Sequence, residues 1–316
     1  MTIRLTLAAL AVASAFPATT FATTDQPTVL VTATRQTQRA DESLADVTVI
    51  DRERIEQAGS SSTLSELLAR QPGIQMSNSG GPGKATDIYI RGTSPKQSLL
   101  IVDGMRIGSA TLGGASWQDI PLSQIERIEI VRGPASALYG ADAIGGVVQV
   151  FTRRGEGAPK VDAYVGAGSY GSKEVSAGVS GGSERLSYSL RGGYADTDGY
   201  NAVYSKTKQP FYYNPDKDPY RNSNFSGSLV FKPVAGHELG VTVLYANSRN
   251  HYDSGAGFDN YADNVQSAWS LYSRNRFTSD WTSTLRFGES VDDVSRHRQR
   301  NSEQMAQRSE ERRVGK

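Results

Sequence analysis

Acidic side chains in two polar segments are the groups in this sequence best suited to bind a ligand. Asp216 and Asp218 lie in the segment NPDKDPY, and Asp253, Asp259 and Asp263 lie in the segment HYDSGAGFDNYADN. Calcium prefers about six to eight oxygen ligands, several of them from carboxylates. An Asp-x-Asp pair that faces a second acidic loop could hold such an ion and order both loops. The alternative is that both segments are simply hydrated.

The other residues that could do chemistry give no sign of catalysis. His237, His251 and His297 lie far apart in the chain and have neither the partners of a catalytic triad nor the spacing of a zinc site. The segment GAGSYG at 166–171 matches the glycine pattern of a dinucleotide-binding loop. A strand-like segment follows it where that motif requires a helix, so we interpret it as a hairpin turn. We predict that the protein is not an enzyme and has no catalytic cofactor.

Composition narrows the class of protein further. The chain has 316 residues, no cysteine and a net charge of +1, which excludes disulfides, thiolate metal sites and a nucleic-acid role driven by a basic surface.

Arg4 precedes the apolar run LTLAALAVASAF, and small residues near Ala22 provide a cleavage site. This order predicts a signal peptide over residues 1–22 and export of the rest. The alternative is a buried helix.

Residues 47–155 have the pattern of a compact mixed α/β domain. The segment STLSELLARQPG predicts a helix that begins with a capping box between Thr63 and Glu66. The segments VTVI, DIYIRG, SLLIVDGMRI, IERIEIVRG and GVVQVFTRR predict strands, several of them buried on both faces. The glycine-rich segments SNSGGPGK and GSATLGGAS predict mobile loops between them.

After Gly157 apolar and polar residues alternate with a period of two, as in the segment LSYSLRGGYA. We predict about seven strands, near 160–169, 172–181, 184–195, 222–232, 237–248, 265–277 and 280–290. Short links alternate with long links at 196–221 and 249–264, apart from the first hairpin. Strands of this length, with aromatic residues near their ends, indicate a transmembrane β-barrel whose long links lie outside the cell. The alternative is a soluble β-sandwich.

Four segments together carry a family resemblance: TVLVTATR, IYIRGTSP, LLIVDGMRI and IERIEIVRGPASALYGADAIGGVVQVFTRR. The chain resembles the TonB-dependent outer-membrane transporters in these segments, from about Thr28 to about Gly288. The resemblance implies a mixed α/β plug domain inside an antiparallel barrel of about 22 strands in the outer membrane of a Gram-negative bacterium. It divides the chain into a TonB box and linker at 23–46, a plug at 47–155 and the start of the barrel at 156–316.

The resemblance also assigns the strand-prone segment near the N-terminus. It identifies the TonB box, the segment that binds the periplasmic protein TonB, as Thr28, Val29, Leu30, Val31 and Thr32. An extended segment near a free end can add as a strand to the sheet edge of a partner. In this family TonB is energised by the inner-membrane ExbB–ExbD complex and pulls on this segment to release the ligand.

Within the family the chain is similar to the cobalamin receptors in the segments SNSGGPGK, IRGT and DAIGGVV. The similarity implies that cobalamin binds at plug-loop residues, namely Ser79, Gly80, Gly81, Ser109 and Leu112. It implies calcium in the outer loops, with the ligands Asp216, Asp218, Tyr252, Asp253, Asp259 and Asn201. Asn201 stands where the family pattern has an aspartate, so this position brings an oxygen without a charge.

Two alternative functions remain open from the sequence. The same transport mechanism could carry an iron siderophore or haem, because the plug motifs do not distinguish these ligands. A secreted β-rich protein that binds or hydrolyses carbohydrate would also show alternating strands. About seven strands cannot close a barrel around a plug. We therefore expect the sequence to be the first part of a longer protein, with a C-terminal RSEERRVGK that is not native.

Overall fold

The computed structural model describes residues 45–59, 63–109, 113–203, 214, 216–255 and 257–300, together with the backbone of two short strands. These strands, β1 (Leu30–Val31) and β2 (Gln38–Arg39), pair antiparallel with each other. The predicted signal peptide and the RSEERRVGK segment lie outside the described residues. Within the described residues no helix has both the length and the apolar character that crossing a membrane would require.

The first domain, which we call the plug domain (residues 46–152), is built around a five-stranded sheet in the order β3-β8-β9-β6-β7. Its strands are β3 (Asp46–Ile50), β6 (Ser98–Val102), β7 (Met105–Ile107), β8 (Ile125–Arg132) and β9 (Gly146–Thr152). All neighbouring strands are antiparallel except β6 and β9, which are parallel. The run SLLIV of β6 is buried along its whole length, as expected for a strand covered on both faces.

A separate hairpin of β4 (Ile74–Asn78) and β5 (Thr86–Ile90) and three short helices complete the plug domain. The helices are α1 (Arg52–Gln57), α2 (Leu64–Ala69) and α3 (Ser136–Tyr139). The capping box predicted for α2 is confirmed, because the Glu66 amide donates to Thr63 Oγ1 at 3.2 Å and the Thr63 amide donates to Glu66 Oε2 at 2.9 Å. Leu64, Leu67 and Leu68 then pack their shared face into the core.

The second part is a seven-stranded antiparallel sheet, which we call the wall sheet, with its strands in chain order. Its strands are β10 (Lys160–Ala167), β11 (Lys173–Gly182), β12 (Leu186–Thr197), β13 (Tyr220–Val234), β14 (His237–Tyr252), β15 (Phe258–Arg276) and β16 (Thr282–Arg300). The prediction of seven strands is confirmed. The segment GAGSYG is the hairpin between β10 and β11, and no dinucleotide loop forms there.

The wall sheet has the inverse of the burial pattern of a soluble protein. Its outward face exposes large apolar side chains, among them Leu190, Leu229, Leu239, Trp269, Leu271, Leu285 and Phe287. Its inward face buries polar side chains, among them Ser189, Asn222, Ser226, Thr242, Asn264, Gln266 and Ser270. Transmembrane barrels place apolar residues toward lipid and polar residues toward the lumen. This pattern excludes the soluble sandwich, whose apolar residues would be enclosed.

Polar side chains of the wall sheet hold the plug domain against its inward face. Asp119, which is 1% exposed, accepts a hydrogen bond from Ser248 Oγ at 2.5 Å and another from Asn264 Nδ2 at 3.2 Å. Ser116 Oγ donates to Asp292 Oδ2 at 2.8 Å. These contacts join the plug domain to β14, β15 and β16. The interface is therefore held by directional hydrogen bonds in addition to apolar packing.

A charged clamp joins the end of the plug domain to the first wall strands. Asp162 on β10 accepts hydrogen bonds from Arg191 on β12, and Arg153 Nη1 at the end of the plug domain lies 3.3 Å from Asp162 Oδ2. Gly178 on β11 lies between Asp162 and Arg191 in the same row, and a Cβ there would press on the Arg191 guanidinium. Glycine thus leaves the space through which Arg191 reaches Asp162.

Replacing Asp162 with alanine should lower the free energy of unfolding by about 2 kcal/mol. The Arg191 side chain is 5% exposed, and the change leaves this buried charge and Arg153 without their shared carboxylate. The measurement is the urea midpoint of the detergent-solubilised protein. Glu184→Ala removes an exposed carboxylate from the nearby turn and serves as the control. Equal urea midpoints for the two variants would show that the ion pairs of Asp162 do not contribute to the stability of the fold.

One predicted link length is wrong. The sequence predicts a long link at 249–264, but β14 continues to Tyr252 and β15 begins at Phe258, so only residues 253–257 connect them. The 19 residues of β15 at about 3.3 Å each extend about 60 Å, well beyond an apolar band about 25 Å tall. The strands therefore continue past the apolar band, where polar residues occupy both faces and the alternation disappears.

Candidate ligand-binding site

The loop between β4 and β5, which we call the apical plug loop (residues 78–84), is a turn stabilised by its own hydrogen bonds. Asn78 Oδ1 accepts hydrogen bonds from the amides of Gly80 at 2.8 Å and Gly81 at 2.5 Å. The Ser79 amide donates to the Ala85 carbonyl at 3.1 Å. The sequence predicted a mobile segment here, whereas the structure gives it its own hydrogen bonds. Three of the predicted ligand-binding residues, Ser79, Gly80 and Gly81, therefore share one turn.

Two glycines of the apical plug loop allow it to approach the wall closely. A Cβ at Gly81 would lie 2.9 Å from Tyr200 Oη, and a Cβ at Gly83, which has a φ of +71°, would overlap the Tyr220 ring. Only glycine combines this space with a left-handed backbone at no steric cost. The apical plug loop is thus packed against the residues that lead into and out of the 198–219 link.

Lys84 is the last residue of the apical plug loop and connects this loop to the 198–219 link, which carries Asp216 and Asp218. Its side chain is among the fully buried ones, and its Nζ donates to the Asp218 carbonyl oxygen at 3.2 Å. Burial lowers the pKa of Lys84 to about 8, against the opposing attraction of the Asp218 and Asp253 carboxylates. Lys84 was not among the predicted site residues, because a lysine at the end of a glycine-rich loop has no motif of its own.

Three of the predicted metal ligands, Asp216, Asp218 and Asp253, lie near enough for their charges to interact. Burial and the neighbouring Asp218 and Asp216 carboxylates raise the pKa of Asp253 to about 7. Burial is also the main cause of the raised pKa of Asp216 and of Asp218. Asp253 Oδ2 is buried and makes no hydrogen bond. This set of carboxylates therefore presents negative charge that is only partly compensated.

Asn201 belongs to the same group of loops but is engaged in structural contacts. Its Nδ2 donates to the Asn214 carbonyl, and its Oδ1 accepts from the Val203 amide at 2.9 Å. Asn214 Nδ2 in turn donates to Asp216 Oδ2 at 2.8 Å and to the Phe258 carbonyl at 3.1 Å. Asn201 thus helps to position Asp216 through Asn214.

The other predicted metal ligands lie on strands. Tyr252 is the last residue of β14, where it pairs with Asn260, and Asp253 follows it directly. Asp259 lies on β15, and its Oδ1 is 2.7 Å from His251 Nδ1. Asp263 forms a bidentate ion pair with Arg249 at 2.5 and 2.8 Å on the outward face. No partner for His251 could be predicted from sequence, since the pairing depends on the register between β14 and β15.

The second predicted ligand-binding loop faces another part of the wall. The Ser109 amide donates to the Gly114 carbonyl at 2.8 Å and closes this loop, while Leu112 lies outside the described residues. Ser116, just beyond the loop, contacts Asp292 on β16. Of the predicted TonB box only the backbone of Leu30 and Val31 is described, because Thr28, Val29 and Thr32 lie outside the described residues.

These residues have the oxygen ligands that calcium prefers, but their side chains do not converge on one point in the structure. Aspartate oxygens and backbone carbonyls are the ligands that calcium prefers, and the buried oxygen of Asp253 lacks a partner. Across the described ranges, no three carboxylate or imidazole groups lie close enough to hold one ion.

Comparisons with known proteins agree with this architecture. Residues 39–147 match the family model of the TonB-dependent receptor plug domain. The chain is 38% identical over 246 residues to the vitamin B12 transporter BtuB of Photobacterium profundum, an alignment that covers 77% of this chain and 38% of the relative.

Solved structures share the fold at lower identity. The alcaligin outer-membrane receptor FauA from Bordetella pertussis superimposes with a TM-score of 0.67 at 19% identity, over 85% of this chain and 42% of that one. The siderophore receptor PirA from Acinetobacter baumannii gives a TM-score of 0.58 at 23% identity, over 84% and 46%. The chain spans less than half the length of these proteins. The family match, the plug and the wall sheet together show that the chain belongs to the family of TonB-dependent receptors.

Proposed function

We propose that the protein transports cobalamin across the outer membrane of a Gram-negative bacterium. The identity of 38% to a vitamin B12 transporter supports this cargo. The observation that carries the proposal is a contact between the apical plug loop and the wall sheet. Lys84 Nζ donates a hydrogen bond to the carbonyl oxygen of Asp218, in the link between β12 and β13. The apical plug loop consequently lies beside the links of the barrel wall. Cobalamin would bind there, between the apical plug loop, the Ser109 loop and the outer loops.

Energy for transport comes from outside the chain in this proposal. TonB, driven by the inner-membrane ExbB–ExbD complex, binds the segment Thr28–Thr32 by strand addition and pulls on it. The pull remodels the plug domain and releases the ligand into the periplasm. Residues 1–22 direct export, and the outward apolar face of the wall sheet contacts outer-membrane lipid. The chain has no catalytic role.

Calcium has an ordering role in this proposal. Asp216, Asp218 and Asp253 would hold the ion, with Tyr252, Asp259 and Asn201 as the further residues that the family resemblance suggests. Bound calcium would compensate the charge of these carboxylates and fix the outer loops. Loops that are already ordered lose less conformational entropy when a ligand binds, so the affinity for cobalamin rises.

Titration calorimetry of the detergent-solubilised protein tests this function. We expect it to bind cyanocobalamin, more tightly with calcium than with a chelator, and to bind neither haem nor a ferric siderophore. Binding of haem or a siderophore in place of cobalamin would assign the alternative cargo. A protein that leaves the membrane without detergent would contradict the membrane location and favour the secreted carbohydrate-binding or hydrolytic alternative.

A further inference from the structure

Two tyrosine side chains meet at the same end of the wall sheet as the apical plug loop. Tyr170 lies in the hairpin between β10 and β11, and Tyr200 lies in the 198–219 link. Their ring centroids are 5.1 Å apart, a separation typical of an attractive aromatic pair. The Tyr200 ring also packs against the apical plug loop, where a Cβ at Gly81 would lie 2.9 Å from Tyr200 Oη. The tyrosine pair is therefore continuous with the loop at which cobalamin binding is proposed.

The backbone of Tyr170 has a conformation that is unusual for an aromatic residue. Its φ of +58° and ψ of +31° lie in the left-handed region, which bulky side chains seldom adopt. The Asp198 amide and Thr197 Oγ1 hold it there by donating to the Tyr170 carbonyl at 3.0 and 3.1 Å. Strained residues that their surroundings fix in this way cluster at functional sites. Glycine would adopt this backbone without strain, so the presence of a tyrosine points to a role for its side chain.

Both rings keep a surface that a ligand can reach. Tyr170 is 60% exposed and Tyr200 is 37% exposed. A tyrosine ring offers an apolar face together with a hydroxyl group that can donate or accept a hydrogen bond. Tyrosine also loses little conformational entropy on contact, because its side chain has only two torsions. The pair thus suits a ligand whose surface carries both apolar and amide groups.

We propose that Tyr170 and Tyr200 form an aromatic subsite that contacts the corrin ring of cobalamin. The inference rests on the proposed function, because it takes cobalamin as the ligand. The rim of this macrocycle carries methyl groups and carboxamide side chains. The methyl groups would pack on the faces of the two rings, and the carboxamides would form hydrogen bonds with the hydroxyl groups. Because Tyr200 also supports the apical plug loop, Tyr170 is the residue that separates ligand contact from support of the loop.

The test measures the affinity of Tyr170 variants for cyanocobalamin by titration calorimetry on the detergent-solubilised protein. Tyr170→Ala removes the ring and should weaken binding about tenfold. Tyr170→Phe keeps the ring and loses only the hydroxyl group, so its affinity should stay within about threefold of the wild type. Tyr194→Ala removes an exposed tyrosine from the outward face of β12 and is the control, which should bind like the wild type.

Hydrogen exchange of the Gly80 and Gly81 amides separates a ligand contact from a purely structural role. Both amides donate to Asn78 Oδ1 inside the apical plug loop. We expect these amides to exchange at the same rate in ligand-free Tyr170→Ala and in the ligand-free wild type. Weaker binding by Tyr170→Ala with unchanged exchange, and recovery of the affinity in Tyr170→Phe, supports the subsite.

The opposite results separate this inference from the proposed function. Equal affinities of the wild type and Tyr170→Ala would overturn the subsite and leave cobalamin transport standing. Weaker binding together with faster exchange of the two glycine amides would also overturn the subsite, because it would assign Tyr170 to the support of the loop. A wild type that binds a ferric siderophore or haem but no cyanocobalamin would overturn the proposed cargo and the subsite together.

Discussion

Replacing Leu30 with proline should abolish energised uptake of the ligand and leave its binding unchanged. Proline removes a backbone N–H and cannot take part in the middle of a strand pair. Strand addition depends on backbone hydrogen bonds more than on particular side chains. The variant Leu30→Val keeps a strand-prone side chain, so it should transport at nearly the rate of the wild type. Val29→Pro should repeat the loss one residue away.

Uptake by cells and binding by purified protein are the two measurements for this prediction. We expect the proline variants to accumulate no more ligand than cells without TonB, and to bind it with the affinity of the wild type. The backbone of Leu30–Val31 pairs with Gln38–Arg39 in the structure. Under the proposed function, TonB would either add to the free edge of this pair or replace the pairing. Normal uptake by Leu30→Pro would rule out strand addition at this segment.

Replacing Asp119 with leucine should lower the free energy of unfolding by about 3 kcal/mol, because it weakens the interface between the plug domain and the wall sheet. The change removes the carboxylate to which Ser248 Oγ and Asn264 Nδ2 donate, and the buried Asn264 amide then loses its acceptor. The measurement is the urea midpoint followed by the fluorescence of Trp117, which is 1% exposed. Trp269→Phe and Trp281→Phe in every protein make Trp117 the sole tryptophan, since the chain has three.

Asp119 should also make the free energy of unfolding depend on pH. Burial, reinforced by the negative charge of Asp292, raises its pKa from 3.8 to about 7, against the hydrogen bonds from Ser248, Asn264 and Gln118. For an acid with a raised pKa in the folded state, the stabilising contribution is complete below pH 3.8 and is lost as the pH rises through about 7. The expected loss of stability between these limits is about 4 kcal/mol, at about 1.4 kcal/mol per pKa unit.

Asp119→Asn provides the matched comparison for the pH dependence. The amide has nearly the same shape as the carboxyl group and does not titrate in this range. The difference in midpoint between wild type and Asp119→Asn should therefore change between pH 5 and pH 8 in favour of the variant. A difference that stays constant with pH would show that Asp119 does not carry the effect.

Much of the fold follows from sequence patterns that depend on local physics. The capping box of α2 and the leucine face that follows it need only the residues of one short segment. The alternation in LSYSLRGGYA predicts β12 because its outward side meets lipid and its inward side meets polar groups. The same rule fails at the start of β15, where Asp259 and Asp263 lie on the outward face above the apolar band and carry no apolar signal.

The candidate site is harder to read from the sequence, because its contacts join distant segments. Asp216, Asp218 and Asp253 could be identified as acidic loop residues, but nothing local indicates that Lys84 lies buried beside them. Asp119 likewise looks like an ordinary residue of a short turn, and its contact with Ser248 spans 129 positions. Such pairings are set by how the plug domain fits against the wall sheet.

Cobalamin uptake by cells that lack their own vitamin B12 transporter and express this protein is the decisive experiment for the proposed transport. We expect labelled cobalamin to accumulate when TonB is present and to stay at the background level when TonB is deleted, with surface binding equal in both strains. Accumulation that is independent of TonB would contradict the mechanism. Uptake of a ferric siderophore or haem without uptake of cobalamin would contradict the assigned cargo.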